Sequence, residues 1–308
     1  MSTSNIKPSS LINDLVINWH ITEACNYSCD YCFAKWGKPN ELHRSLDAVE
    51  QLLDKLANYF IKGTPPLKSN LRYEHVRINF AGGEPMMLGS AFSTILMLAK
   101  QKGFKTSLIT NGHYLLRNKT KLPNNSLDMI GISFDSQSYA VREKIGRVNR
   151  KGESLDSEGL RLILRDIKSN QRGVKTKINT VVNKHNWKEN FSTIISELKP
   201  DKWKVLHVMP YGTNELLISD NQFDDFVKEH SSLGLPIYAE SNTAMTESYL
   251  MIDPKGCFYQ NGHDNAGYRY SEFINDIGVE KALSQINFNQ ETFIARYFPA
   301  DTSMLVEA

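Results

Sequence analysis

Three of the chain's four cysteines fall within eight residues, Cys25-Asn-Tyr-Ser-Cys29-Asp-Tyr-Cys32, a C-x3-C-x2-C spacing. Four chemistries compete for such a cluster. Structural zinc takes four ligands, usually as two C-x2-C pairs or with histidine; His20 or His43 would have to supply the fourth, and the pairing is wrong. A redox pair at Cys29 and Cys32 leaves Cys25 unexplained. Three buried cysteines make a poor core in a loop of Asn, Asp and Tyr. The fourth reading is a cubane iron–sulfur cluster, whose irons ordinarily take Cys thiolates, usually four. Three thiolates leave one iron open, and an open coordination position is a place for chemistry. Cys257 lies over 200 residues away and receives no ligand role.

The elements that must position this cluster alternate along the chain. Residues 15–22, LVINWHIT, set Leu15, Ile17, Trp19 and Ile21 on one side and Val16, Asn18, His20 and Thr22 on the other, a strand with period two. Ser45 reads as an N-cap, with Val49, Leu52, Leu53, Leu56 and Phe60 following at helical spacing. Residues 61–70 read as a Pro/Gly-interrupted loop. Strands are predicted at 76–80, 106–110, 129–135, 174–182 and 202–209, with apolar helical stripes at Phe92–Ala99, Leu160–Ile167, Phe191–Leu198 and Phe223–Val227. Residues 248–252 and 257–260 flank Asp253-Pro254-Lys255-Gly256 and read as a hairpin. About six β-then-α units imply parallel strands, with functional residues at the strand ends. The cysteines, Gly82-Gly83-Glu84-Pro85 and Asn111-Gly112 follow the first three strands. The expected architecture is α/β: residues 1–10 a disordered tail, 11–252 a partial (βα)6 barrel, and 253–308 a C-terminal extension covering the barrel mouth.

Composition narrows the class. The 308 residues carry 36 Lys and Arg against 34 Asp and Glu, a net charge of +2. That balance predicts no nucleic-acid coat and no membrane-surface tail. No run approaches the ~18 apolar residues of a membrane span. The polar start reads as no signal peptide, which predicts a reducing, cytoplasmic setting where thiolates persist.

The segment CNYSCDYC resembles the signature of the radical S-adenosylmethionine (SAM) superfamily, with aromatic Tyr31 directly before Cys32, and GGEP at 82–85 is similar to its second motif. NWHITEACNYSCDYCF, INFAGGEP, KINTVVN, KWKV and ESNTAMTESYLMID together resemble the viperin family, its prokaryotic members most of all, in order from residue 18 to 253. The resemblance implies a radical SAM barrel, a [4Fe-4S] cluster on Cys25, Cys29 and Cys32, and SAM as second cofactor. It implies a lyase that converts a nucleoside triphosphate, CTP or UTP before GTP, to its 3′-deoxy-3′,4′-didehydro form, a chain terminator in antiviral defence. A flavodoxin- or ferredoxin-like reductant and a monomer are implied as well.

Site residues carry over singly. Gly82, Gly83 and Glu84 would meet the methionine end of SAM, Ser133 and Arg147 match SAM-holding positions, and Thr110 and Asn111 would approach it. Strand alternation sets Arg77, Lys177, Lys202 and Lys204 on inward faces, a basic lumen that suits a triphosphate because unpaired buried cations are costly. Arg77 stands where the family has Lys, and Lys202 where it has Arg, a change of geometry at constant charge. Asn18, Asn179 and Tyr249 match nucleotide-contacting positions, with Tyr249 a candidate hydrogen or proton relay beside the ribose. Two alternatives stand: another radical SAM enzyme, acting for example on a peptide, and a non-catalytic iron–sulfur or zinc protein.

Overall fold

The structure is a computed structural model that describes residues 12–32, 34, 40–117, 122–170, 173–210, 214–234, 237–262 and 268–297. The tail expected at 1–10 lies outside them. Among the described residues ten strands form one sheet in the order β10-β9-β8-β1-β2-β3-β4-β5-β6-β7. β1 (Asp14–Thr22), β2 (His75–Gly82), β3 (Lys105–Thr110), β4 (Met129–Ser133), β5 (Lys175–Val182), β6 (Lys202–His207) and β7 (Ile237–Glu240) are parallel, each paired with the next. β8 (Leu250–Ile252) adds to β1 in parallel, and β9 (Cys257–Asn261) and β10 (Tyr268–Phe273) continue antiparallel. β7 and β10 are the edges, so the parallel strands form a barrel that does not close on itself.

Period-two alternation decides which side chains face inward. Leu15, Ile17, Trp19 and Ile21 of β1 and Ile78 and Phe80 of β2 are wholly buried on the outer face, in one core with Val49, Leu52, Leu53 and Leu56 and with Phe92, Ile95 and Leu96 of the covering helices. Each such side chain contributes about 1.5–3 kcal/mol by leaving water. That apolar layer fixes the register, and the register turns Asn18, Arg77 and Asn79 toward the lumen. Trp203 does the same for β6. It is buried with Phe191, Phe226 and His230, which leaves Lys202 and Lys204 inward. Ser45 caps the helix Leu46–Leu56 by accepting from Ala48 N, as its type and place predict.

Three local readings change. The stretch expected as a loop at 61–70 contains a helix, Pro66–Leu71, because Pro66 sits at its first position, where its fixed φ suits a helix start. β7 and β10 go unread in the sequence: β7 has four residues and exists by pairing with β6, and β10 by pairing with β9. The hairpin across Asp253–Gly256 forms as β8 and β9. The C-terminal segment then reaches the cavity from the start of the strands, where the Tyr297 hydroxyl donates to Asp14 O at 2.6 Å.

Candidate active site

The cysteine loop follows β1 and is held from both sides by backbone. Gly83 N donates to Thr22 O (2.7 Å) and Glu84 N to Ala24 O (2.8 Å); opposite, Ser28 N donates to Gly146 O and Asp30 N to Ile145 O, both 3.2 Å. The approach is close enough to require glycine. A Cβ on Gly83 would lie 2.2 Å from Ala24 O, and one on Gly146, whose φ is +71°, would lie 2.3 Å from Ser28 O. The loop presents Cys25, Cys29 and Cys32, none of them in a disulfide, to one cavity. Desolvation above all pushes the Cys25 thiol up to about 12, and Glu84 and the other two thiols add to it. Burial likewise raises Cys29, with Arg147 opposing. Thiolates here therefore need a cationic partner, which an iron–sulfur cluster is. Among the described residues no three His, Cys, Asp or Glu side chains are arranged around a single ion; a cubane, with each thiolate on its own iron, does not need that convergence.

Around the thiols stand the ends of the next strands. Gly82, Gly83, Thr110, Asn111, Ser133 and Arg147 line the cavity. Glu84, expected with them to meet the methionine end of SAM, follows Gly83 directly. It is fully buried behind the wall, and its carboxylate accepts from Met86 N (3.0 Å), the Thr110 hydroxyl (2.8 Å) and Asn111 N (2.7 Å). Burial pushes that carboxyl up to about 6. Arg147 is anchored by the Ser133 carbonyl (2.6 Å) and Asp135 (3.1 Å), with one nitrogen 3.9 Å from Cys29 Sγ.

Further down the strands the lumen turns basic. Arg77 is tied to Asp14 (3.1 Å) and Ser107 (3.0 Å), and Ser107 continues through Asn79 to Asn18 by two bonds of 2.7 Å. Lys177 pairs in register with Gly131 of β4 and Lys202 of β6. A Cβ on Gly131 would lie 2.8 Å from Lys177 Cε, so that glycine makes room for the lysine. Burial, then Lys204 and Arg77, push the Lys177 ammonium well below its usual range. Lys202 lies 4.5 Å over the Tyr238 ring. Asn179 is buried, and both polar atoms of its amide lack partners. From Arg77 to Gly82 the strand advances about 16 Å, so cations and thiols occupy opposite ends of one cavity.

At the basic end Lys204 Nζ lies 2.8 Å from Glu240 and donates to the Tyr249 hydroxyl at 2.7 Å. Tyr249 donates to Glu240, and Arg296 lies 3.4 Å over its ring and 3.1 Å from Glu240. Burial alone would raise the Glu240 carboxyl, but Arg296 and Lys204 hold it down to about 2. Burial pushes Lys204 down to about 8 and keeps Tyr249 a neutral phenol, well above its usual value. The sequence reading brings Lys204 and Tyr249 here and misses Glu240, Arg296, Tyr238 and Asp135. Glu240 opens the ESNTAMTESYLMID block, the one local signal it offers.

The radical SAM superfamily pattern matches residues 19–191. An S-adenosylmethionine-dependent nucleotide dehydratase of Pseudoalteromonas ulvae is 46% identical, covering 93% of this chain and 94% of that protein. The chain belongs to the radical SAM superfamily and, within it, to the viperin-like nucleotide dehydratases. A second member, from Psychrobacter lutiphocae, is 40% identical over 92% of this chain and 95% of that protein. Native anSMEcpe with bound AdoMet and Kp18Cys peptide shares the fold at a TM-score of 0.62 and 15% identity, covering 92% of this chain and 84% of that one. Membership makes the chain an enzyme acting on a nucleotide, with a [4Fe-4S] cluster and SAM as cofactors. The peptide and non-catalytic alternatives fall away. No helix among the described residues is long and apolar enough to cross a membrane.

Proposed function

We propose that the chain removes water from a nucleoside triphosphate to give the 3′-deoxy-3′,4′-didehydro nucleotide, a chain terminator directed against phage. The observation that carries this reading is one cavity with three thiols at one end and Arg77, Lys177, Lys202 and Lys204 at the other. Cys25, Cys29 and Cys32 would hold the cluster; Gly82, Gly83, Thr110, Asn111, Ser133 and Arg147 would line the SAM site, with Glu84 bracing Thr110 and Asn111 from behind. The chemistry that cluster and SAM supply together is reductive cleavage of SAM and hydrogen abstraction from C4′ of the ribose.

The chain's own residues supply position and protons. Four lysines and arginines on rigid strands fix the triphosphate and so fix C4′, which is catalysis by orientation. Asn18 and Asn179 offer amides to the sugar and phosphates. Tyr249, a phenol between an ammonium and a carboxylate, can hold or move a proton beside the ribose. Thiols outside any disulfide favour a reducing compartment, the cytoplasm, and the two electrons, one to cleave SAM and one to complete the alkene, come from a flavodoxin- or ferredoxin-like donor. The test is anaerobic reconstitution with SAM, dithionite and each nucleotide in turn. A nucleotide lighter by one water together with 5′-deoxyadenosine supports the reading; 5′-deoxyadenosine with every nucleotide intact overturns it.

A further inference from the structure

Past Tyr249 the cavity wall carries methionines. Met209, Met245, Met251, His207 and Tyr268 line it, and Asn261, the last residue of β9, lies among them. Asn261 is 3% exposed. Its backbone carbonyl accepts from Glu247 N at 3.2 Å, and its side-chain nitrogen donates to Met245 O at 3.2 Å with Met209 Sδ at 3.9 Å. Those contacts lock the amide: turning it over would set its oxygen against the Met245 carbonyl. In the locked orientation the amide oxygen has no partner. A buried acceptor left unpaired costs about 1–3 kcal/mol, and in a ligand-lining wall that cost is relieved by a ligand donor.

The wall has the character of a planar heterocycle's site. Thioethers pack well against aromatic rings, and the unpartnered Asn261 oxygen asks for an N–H; the other unpartnered atom of this wall, His207 Nδ1, lies 3.5 Å from Asp220. Gln260, the preceding residue, donates to the Tyr249 backbone carbonyl, so this stretch adjoins the place assigned to the ribose. We infer that Asn261 reads the nucleobase, its side-chain oxygen accepting an N–H from the base while Met209, Met245 and Met251 hold the ring. The donor is the exocyclic amino group of cytosine or adenine, or the ring or amino N–H of uracil or guanine, and the inference rests on the nucleoside triphosphate reading above.

The experiment is anaerobic calorimetry on the reconstituted, SAM-loaded enzyme without reductant. It titrates CTP, UTP, GTP, ATP and inorganic triphosphate into wild type, Asn261→Leu and Asn261→Asp. In wild type one base should stand out. Asn261→Leu should weaken that nucleotide about tenfold, bring the four nucleotides within about threefold of one another, and leave inorganic triphosphate unchanged. Asn261→Asp, titrated at mildly acidic pH so that its buried acid donates an O–H to Met245 O as the amide N–H does, keeps the acceptor and should keep the wild-type order of bases, and it serves alone if the Leu variant does not fold. An unchanged spread in Asn261→Leu, an equal loss for inorganic triphosphate, a lost order in Asn261→Asp, or weakened SAM binding in either variant overturns the inference. If neither nucleotides nor inorganic triphosphate bind wild type, the nucleotide reading itself fails.

Discussion

The Lys204 ammonium lies 2.8 Å from the Glu240 carboxylate, and both groups touch the Tyr249 hydroxyl. Arg296 closes the cluster from the C-terminal segment. Glu240 is thus an internal counter-ion, holding two cations in place before any phosphate arrives. Removing one partner of a buried ion pair leaves the other uncompensated. Glu240→Gln should cost about 3 kcal/mol in urea denaturation, and inorganic triphosphate should restore part of it by replacing the lost charge. Unchanged stability would show that Glu240 does not restrain Lys204 and Arg296.

The same pair makes stability rise with pH in two separate windows. The Glu240 carboxyl is lowered in the fold, so its contribution is complete above the ordinary 4.5 and is lost as pH falls toward about 2. Lys204 is lowered as well, to about 8 from the ordinary 10.5. Between those values the unfolded chain holds a proton that the folded one does not, so this group makes stability rise with pH there. Anion binding runs the other way. Affinity for inorganic triphosphate should fall as pH rises through about 8, and Lys204→Arg should remove that limb because arginine stays charged. An identical limb in the Arg variant would assign it elsewhere.

Lys177 sits between Gly131 and Lys202 with its charge strongly disfavoured by burial and by its basic neighbours. Polyanion binding relieves that repulsion. Lys177→Ala should weaken nucleotide binding at least tenfold while SAM cleavage without coupled dehydration survives. Unchanged nucleotide affinity would end the basic-lumen account.

At the other end, Cys29→Ala should abolish both the brown cluster chromophore and SAM cleavage. Gly146→Ala tests how the loop is held. Its new Cβ would meet Ser28 O at 2.3 Å in a left-handed backbone, so the cysteine loop must move. Iron and sulfide content after reconstitution should fall sharply. A full cluster complement in Gly146→Ala would show that the 145–146 strap does not position the thiols.

What could be read in the sequence was what local pattern controls. The cysteine spacing, the Gly82-Gly83 turn and the inward cations follow from short-range periodicity: Trp203 buried outward puts Lys202 and Lys204 inward, and the structure agrees. Glu84 was legible as a strand-end residue, but the direction of its carboxylate is decided by donors on a neighbouring turn and on β3 and its following residue, Met86, Thr110 and Asn111. Glu240 offered only its place at the head of the ESNTAMTESYLMID block, and Arg296 offered nothing. One ends a four-residue strand that exists by pairing with β6, and the other follows a short helix at the chain's far end. Their meeting over Tyr249 is a tertiary event with no periodic trace.

Isotope transfer reports whether one cavity brings the ribose carbon C4′ to the SAM end while the cations hold the triphosphate. The reconstituted enzyme is given SAM, reductant and its preferred nucleoside triphosphate deuterated at C4′, and both products are weighed by mass spectrometry. Deuterium should appear in 5′-deoxyadenosine, and the nucleotide should have lost that deuterium and one water. Unlabelled 5′-deoxyadenosine beside a nucleotide that keeps its deuterium would contradict that placement.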